Sequence, residues 1–368
     1  YGDHRDLHSF PTRRSSDLLR LRPLSLSLKG PNEVYQMIER WMVLAGEEAG
    51  PASNKMGGIW DVIDAEAATM ARLLAKKDID SGLHILVAGP YYPTLGSDWN
   101  AGKNRITNLT GLEKLDAGPE LKRVLTSLQA AGIEPTAAQR MVDGVPIGYV
   151  LFNTNHYQSH TVLWKGQDMT LSNAIKTEAF DLLGLDSMNY ERAHYGHEYN
   201  HYLGLSYAIS ELVRGLAQAP ENVAAKYTDR AVSEFAKSVL PKVRVSFHCH
   251  EFGVFYAAAR LKKLGVPVRS ACTLHATVPG RTAGYKSLAK VARGEEKMEP
   301  GTPLGFAALE RLARYADTVT FVGDSTMKEA MLFYRMKGMV IRNGIEVQAH
   351  QIDWEKKDRC RDRIQQFL

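Results

Sequence analysis

The 368-residue sequence contains only three cysteines, Cys249, Cys272 and Cys360. Three thiols at these separations build no disulfide framework, so a reducing compartment is expected, with the cytoplasm as the default. No apolar run is long enough to span a bilayer, and no membrane partner is expected. Charge of one sign is also scarce: 46 Lys and Arg stand against 41 Asp and Glu, a formal net charge of +5. Residues 1–30 hold six of the basic and three of the acidic groups, which leaves 40 against 38. A chain this close to neutral offers nucleic acid no general field, and no basic-aromatic strip supplies a local one. There is no internal repeat and no low-complexity linker inside 41–346.

The beginning of the chain is set aside. Residues Ser9 to Leu18 read Ser-Phe-Pro-Thr-Arg-Arg-Ser-Ser-Asp-Leu, which looks like a translated sequencing-adapter oligonucleotide. Residues 1–30 are therefore treated as a non-native extension and excluded from fold reasoning. A basic targeting peptide is the alternative, but neither an initiating Met nor a cleavage site is visible.

What remains is ordinary globular material, 44% hydrophobic and 24% charged over the whole chain. Apolar periods alternate between strand and helix. Trp41 to Ala45, His84 to Ala88, Ile147 to Asn153, Val243 to Phe247, Val268 to Leu274, Thr318 to Val322 and Met339 to Ile341 read as strands. Ile59 to Ala75, Pro119 to Ala131, Ala193 to Ala217, Val254 to Leu264, Phe306 to Tyr315 and Thr326 to Arg335 read as helices. Such alternation predicts an α/β fold, a Rossmann-like doubly wound parallel sheet with helices on both faces.

Polar groups cluster where two apolar segments stop. One run is Phe247-His248-Cys249-His250-Glu251-Phe252-Gly253; the other is Thr273-Leu274-His275-Ala276-Thr277-Val278-Pro279-Gly280-Arg281. Strand ends of an open α/β sheet are where its ligand crevice lies. A third candidate is Asn54-Lys55-Met56-Gly57-Gly58-Ile59. There Gly57 and Gly58 permit close approach of a phosphate to a helix N-terminus, and Lys55 adds a point charge. It lacks the Gly-x-Gly-x-x-Gly spacing, and no acidic residue follows at the ribose distance, which argues against a dehydrogenase.

Two metal-like patterns need weighing. His197-Glu198-Tyr199-Asn200-His201 is a His-Glu-x-x-His sequence on a helix, the spacing of a zinc hydrolase. Its neighbours Tyr195, Tyr202, Leu203 and Tyr207 read instead as packing surface. In His248-Cys249-His250, strand alternation is expected to split the side chains, with one histidine at the crevice and the other in the packing. No metal site is expected from it.

The two strand-end runs resemble the starch and glycogen synthases, most closely the animal and fungal type of glycogen synthase. That family carries a His-Phe-His-Glu-Trp-like run and a Thr-His-Ala-Thr-x-x-Gly-Arg run. Here Phe252 stands for Trp, and Thr273, His275, Ala276, Thr277, Gly280 and Arg281 match the second. The Lys55-Gly57-Gly58 loop, His84 to Tyr91, Leu163-Trp164-Lys165-Gly166 and Ile341-Arg342-Asn343-Gly344-Ile345 also resemble family segments, with Gln167 and Arg342 as departures.

The resemblance implies the N-terminal Rossmann-like domain of a GT-B glycosyltransferase over 41–347, with 348–368 beginning the interdomain segment. It also implies retaining transfer of glucose from UDP-glucose or ADP-glucose to the non-reducing 4-hydroxyl end of an α-1,4-glucan, with no cofactor and no metal. His250, Glu251, His275 and Arg281 would be catalytic. Lys55, Gly57 and Gly58 would bind the donor; Thr277, Gly280, Asn343 and Gly344 would line the cleft. Because the sequence stops at Leu368, before a donor-binding second domain, it is expected to be inactive alone. A zinc hydrolase and a non-catalytic glucan-binding or regulatory domain stay as alternatives, and homo-oligomerisation stays open.

Overall fold

The computed structural model describes residues 40–51, 58–79, 82–93, 106–192, 196–224, 244–282 and 304–342. Nine strands form one sheet in the order β11-β10-β9-β8-β1-β2-β5-β4-β3. The seven from β11 to β5 are parallel. They are β1 (Arg40–Gly46), β2 (Leu83–Pro90), β5 (Val145–Phe152), β8 (Val245–His250), β9 (Val268–Leu274), β10 (Thr318–Phe321) and β11 (Met339–Val340). Val43 is the centre of the register, opposite Leu86 on one side and Phe247 on the other.

The apolar spacing of α1 (Ile59–Ala75) explains its place. Ile63, Ala67, Ala71 and Leu74 form one stripe and pack on Leu44, Ile85, Val87 and Tyr149. Asp61 in its first turn and Arg72 in its last complement the helix dipole. Full burial of Ile63 alone is worth about 1.5–3 kcal/mol. The opposite sheet face, with Trp41, Val43, Ala45, Phe247 and Cys249, is covered by α2 (Pro119–Ala130), α3 (Leu171–Leu183), α5 (Gly196–Ala224) and α6 (Phe255–Lys263). Between these last three helices lies an ion-pair junction. Arg260 donates from Nε and Nη2 to both oxygens of Glu178, and from Nη1 to Ser210 Oγ. Its Nη1 also lies 2.6 Å from Glu211 Oε1.

Three features differ from the sequence reading. First, the sheet is not wholly parallel: β4 (Pro135–Val142) runs antiparallel to β5, and β3 (Glu113–Lys114) antiparallel to β4. The β4–β5 hairpin turns at Asp143 and Gly144, both at positive φ, the conformation a tight two-residue turn requires. A second hairpin, β6 (Thr161–Trp164) with β7 (Gln167–Thr170), turns in the same way at Lys165 and Gly166. Second, α3 escaped the reading, although Thr170 Oγ1 caps it by accepting from Asn173 N and Gly184 ends it in a left-handed conformation. Third, the segment 304–315 is not one helix but α8 (Leu304–Glu310) followed by a 3-10 stretch, Arg311–Tyr315. Two short helices also lie among the described residues, α4 (Ser187–Glu191) and α7 (Val278–Thr282). The last described helix is α9 (Asp324–Tyr334). No described helix is long and apolar enough to cross a membrane.

Candidate functional site

From β1 the chain moves outward through β2 to β5, then returns to place β8 on the other side of β1 and moves outward again through β9, β10 and β11. The order therefore reverses between β1 and β8, the point at which open α/β sheets bind ligands. Gly46 and His250 end these two strands as register partners.

Alternation along β8 does not separate its histidines. Residues two apart share a strand face, so His248 and His250 both point toward α1, their ring centroids 4.1 Å apart, while Cys249 is buried on the other face in register with Cys272. The expected split applies to the cysteine alone. Glu66 of α1 receives both imidazoles: its Oε1 lies 2.9 Å from His248 Nδ1, and its Oε2 lies 3.2 Å from His250 Nε2. The second contact is the longer and less well aligned of the two. Burial raises the Glu66 pKa, but the two histidines outweigh it and hold the carboxyl at about 2. On the far side of each ring, His248 Nε2 meets Thr273 Oγ1 at 2.7 Å, and Thr273 Oγ1 meets Thr320 Oγ1 at 2.6 Å. His250 Nδ1 meets His275 Nε2 at 3.1 Å. Burial depresses both histidines of this last pair, His275 to about 3, so each is neutral and one ring donates to the other.

Glu251 follows at the strand end with φ 70°, a left-handed conformation that costs a non-glycine residue of order 1–3 kcal/mol. Its carboxyl is turned inward by that backbone. Glu251 Oε1 accepts from His275 N at 3.0 Å, Ala276 N at 3.2 Å and Arg281 Nη2 at 2.8 Å, while Oε2 accepts nothing. Burial pushes this carboxyl up to about 8; the Arg281 charge opposes the shift, and the Glu47 and Glu310 charges add to it.

Two further carboxylates fix the segment after β9. Glu310 accepts from Val278 N with both oxygens, at 3.1 and 2.9 Å, and from Tyr334 Oη. Burial raises its pKa to about 8 against those hydrogen bonds. Thr277 Oγ1 donates to Glu329 Oε2 at 2.6 Å and accepts from Gly280 N at 2.9 Å. A Cβ at Gly280 would fall 2.2 Å from Glu329 Oε2 and 2.6 Å from Thr277 Oγ1, so a larger residue would have to displace this pair. His275, Thr277, Gly280 and Arg281 are thus brought to one loop beside His250 and Glu251. Gly58 caps the N-terminus of α1 without a side-chain hydrogen bond. Lys55, Gly57, Asn343 and Gly344 lie outside the described residues.

Glu66 and Glu310 went unrecognised in the sequence, and Thr273 figures there only as part of the second run. A signal existed for both acids. Glu66 occupies a core-facing slot seven residues after Ile59, and Glu310 sits four after Phe306, each a charge where the helical period calls for an apolar residue.

The His-Glu-x-x-His sequence lies on α5, on the opposite side of the sheet. His197 is exposed, whereas His201 is buried, with Nδ1 2.7 Å from Thr154 Oγ1 and its ring stacked on Tyr92. Among the described residues no third ligand gathers around this pair. Tyr199, Tyr202 and Leu203 are buried, as a packing surface requires.

No protein-family model and no curated protein matches the chain. Among solved structures it is similar to the catalytic domain of starch synthase IV from Arabidopsis thaliana bound to ADP and acarbose. That alignment has 14% identity and a TM-score of 0.37, and covers 84% of this chain and 53% of that one. An α,α-trehalose-phosphate synthase (UDP-forming) from Burkholderia vietnamiensis aligns at 10% identity with a TM-score of 0.32, covering 89% of this chain and 55% of that one. The chain spans about half the length of either structure.

Proposed function

We propose that the chain supplies one wall of a retaining glycosyltransferase that moves glucose from a nucleotide-diphosphate glucose to the non-reducing 4-hydroxyl of an α-1,4-glucan. The observation that carries this reading is the convergence of His250, Glu251, His275 and Arg281 at the β1/β8 reversal of the sheet. These are residues of the two runs that resemble the glycogen synthases.

Breaking the anomeric bond places negative charge on the departing diphosphate and positive charge on the sugar ring. Preorganised donors at the diphosphate would supply much of the rate. Lys55 and the backbone amides of Gly57 and Gly58 take that role in this proposal. The His250–His275 pair presents neutral imidazole to a sugar hydroxyl, with His275 half-buried above the fully buried His250. Arg281 and Glu251 hold the loop in place, and the 2.8 Å contact between them keeps the guanidinium at the crevice edge. The animal and fungal character of the resemblance favours UDP-glucose as donor.

The test is glucosyl incorporation into glycogen from UDP-glucose and ADP-glucose by the whole protein that carries this chain. We expect incorporation from one of the two donors, and loss of most activity in His250→Ala. Absence of transfer from either donor overturns the reading, and full activity in His250→Ala overturns the site assignment.

A further inference from the structure

We propose that Glu66, His248 and His250 form a binding site for a late first-row divalent cation, Zn2+ by its ligand set. One ligand atom from each of the three residues lies within 4.8 Å of the other two. A tetrahedral zinc with bonds of about 2.0–2.2 Å sets its ligand atoms roughly 3.3 Å apart. Glu66 already stands 2.9 Å from His248 Nδ1 and 3.2 Å from His250 Nε2, so the widest pair has at most about 1.5 Å to close.

His250 is 1% exposed, and its Nε2 stands 3.2 Å from Glu66 Oε2 in poor alignment for a hydrogen bond. A cation between the three groups would take that nitrogen's lone pair, His248 Nδ1 and a Glu66 oxygen together.

The surrounding groups fit the protonation that metal binding demands. With His248 Nδ1 and His250 Nε2 as ligands, the proton on each ring must sit on the other nitrogen and find an acceptor. His248 Nε2 has Thr273 Oγ1 at 2.7 Å, and His250 Nδ1 has His275 Nε2 at 3.1 Å. The ligands also stand on rigid elements, two on β8 and one on α1. Two nitrogens and one carboxylate oxygen are ligands of the open zinc type, with a fourth position left to solvent or substrate. Solvent reaches two of the three ligands, since the side chains of His248 and Glu66 are 18% and 27% exposed. This site is on the α1 face, distinct from His197 and His201, and it does not depend on the transferase reading.

The experiment uses tag-free protein stripped with chelator, then titrated with ZnCl2 by calorimetry and with CoCl2 by visible absorption. The expected result is one equivalent of Zn2+ bound at micromolar concentration or tighter, and tetrahedral Co2+ bands. Glu66→Gln and His248→Ala should each weaken binding at least 100-fold, Thr273→Val about 10-fold, and His197→Ala not at all. Circular dichroism checks that each variant is folded. Should the first two variants unfold, a rise in the wild-type melting temperature with Zn2+, retained in His197→Ala, still reports the site. No Zn2+ binding by folded wild-type protein overturns the proposal. So does binding that survives Glu66→Gln and disappears in His197→Ala.

Discussion

Glu251 Oε1 accepts a hydrogen bond from Arg281 Nη2 at 2.8 Å, thirty residues away in sequence, while the other oxygen of the same buried carboxyl accepts none. The pair ties the end of β8 to the loop after β9. The buried Glu310 carboxyl performs the same task from α8, so two acids of raised pKa hold one loop.

That arrangement gives stability a pH dependence with a definite sign. Between about pH 4.5 and 8 the folded state keeps protons on Glu251 and Glu310 that the unfolded chain has released, so raising pH costs stability. The depressed His275 acts oppositely, losing stability as pH falls from 6.5 toward about 3, and the depressed His250 acts in the same direction. From pH 6.5 to 8 the acids act unopposed by these histidines. Unfolding free energy from urea melts should fall across that interval, by up to about 1.4 kcal/mol per pH unit for each acid. Glu310→Gln should make the slope shallower by about one proton; equal slopes would refute the assignment.

Gly89→Ala should destabilise the fold by about 3 kcal/mol, the upper end for overpacking. A Cβ there would stand 1.8 Å from the backbone oxygen of Ala49, which cannot move as a side chain can. A urea midpoint unchanged from wild type would rule out that close approach of the chain after β1 to the end of β2.

Arg260→Ala should cost about 3–5 kcal/mol, because it strands the Glu178 carboxylate beside a buried hydroxyl. His197→Ala, at an exposed position on α5, should stay within about 0.5 kcal/mol of wild type. Thermal denaturation of the two variants side by side checks the contrast.

Much of this sheet could be read from the chain. Val268 to Leu274 appears as a strand with the same bounds, and Ile59 to Ala75 as a helix with the same bounds, because each buries one continuous apolar face. β4 was hidden because Pro135–Val142 mixes polar and apolar residues at the sheet margin, where only partial burial is needed. Its one clear signal, Asp143-Gly144 before a strand, is a turn signal rather than a hydrophobic one. For the site, sequence proximity found the two strand ends but not what holds them. Glu66 is 182 residues from His248, and only its polar presence in an apolar helical slot hinted at a partner across the sheet. The side shared by His248 and His250 follows from the two-residue strand repeat and was open to sequence reasoning.

Gly46 and His250 touch in the sheet although about 200 residues separate them along the chain. Strands β1, β2, β5 and β4 and helix α1 can meet once the first 152 residues exist, with local hairpins and short crossovers to guide them. The β1–β8 seam cannot, because it waits for a long loop to close. During synthesis, Glu66 is therefore displayed on α1 well before either imidazole that will face it has been made. The crevice cannot begin to form until β8 has been made, about 200 residues after β1.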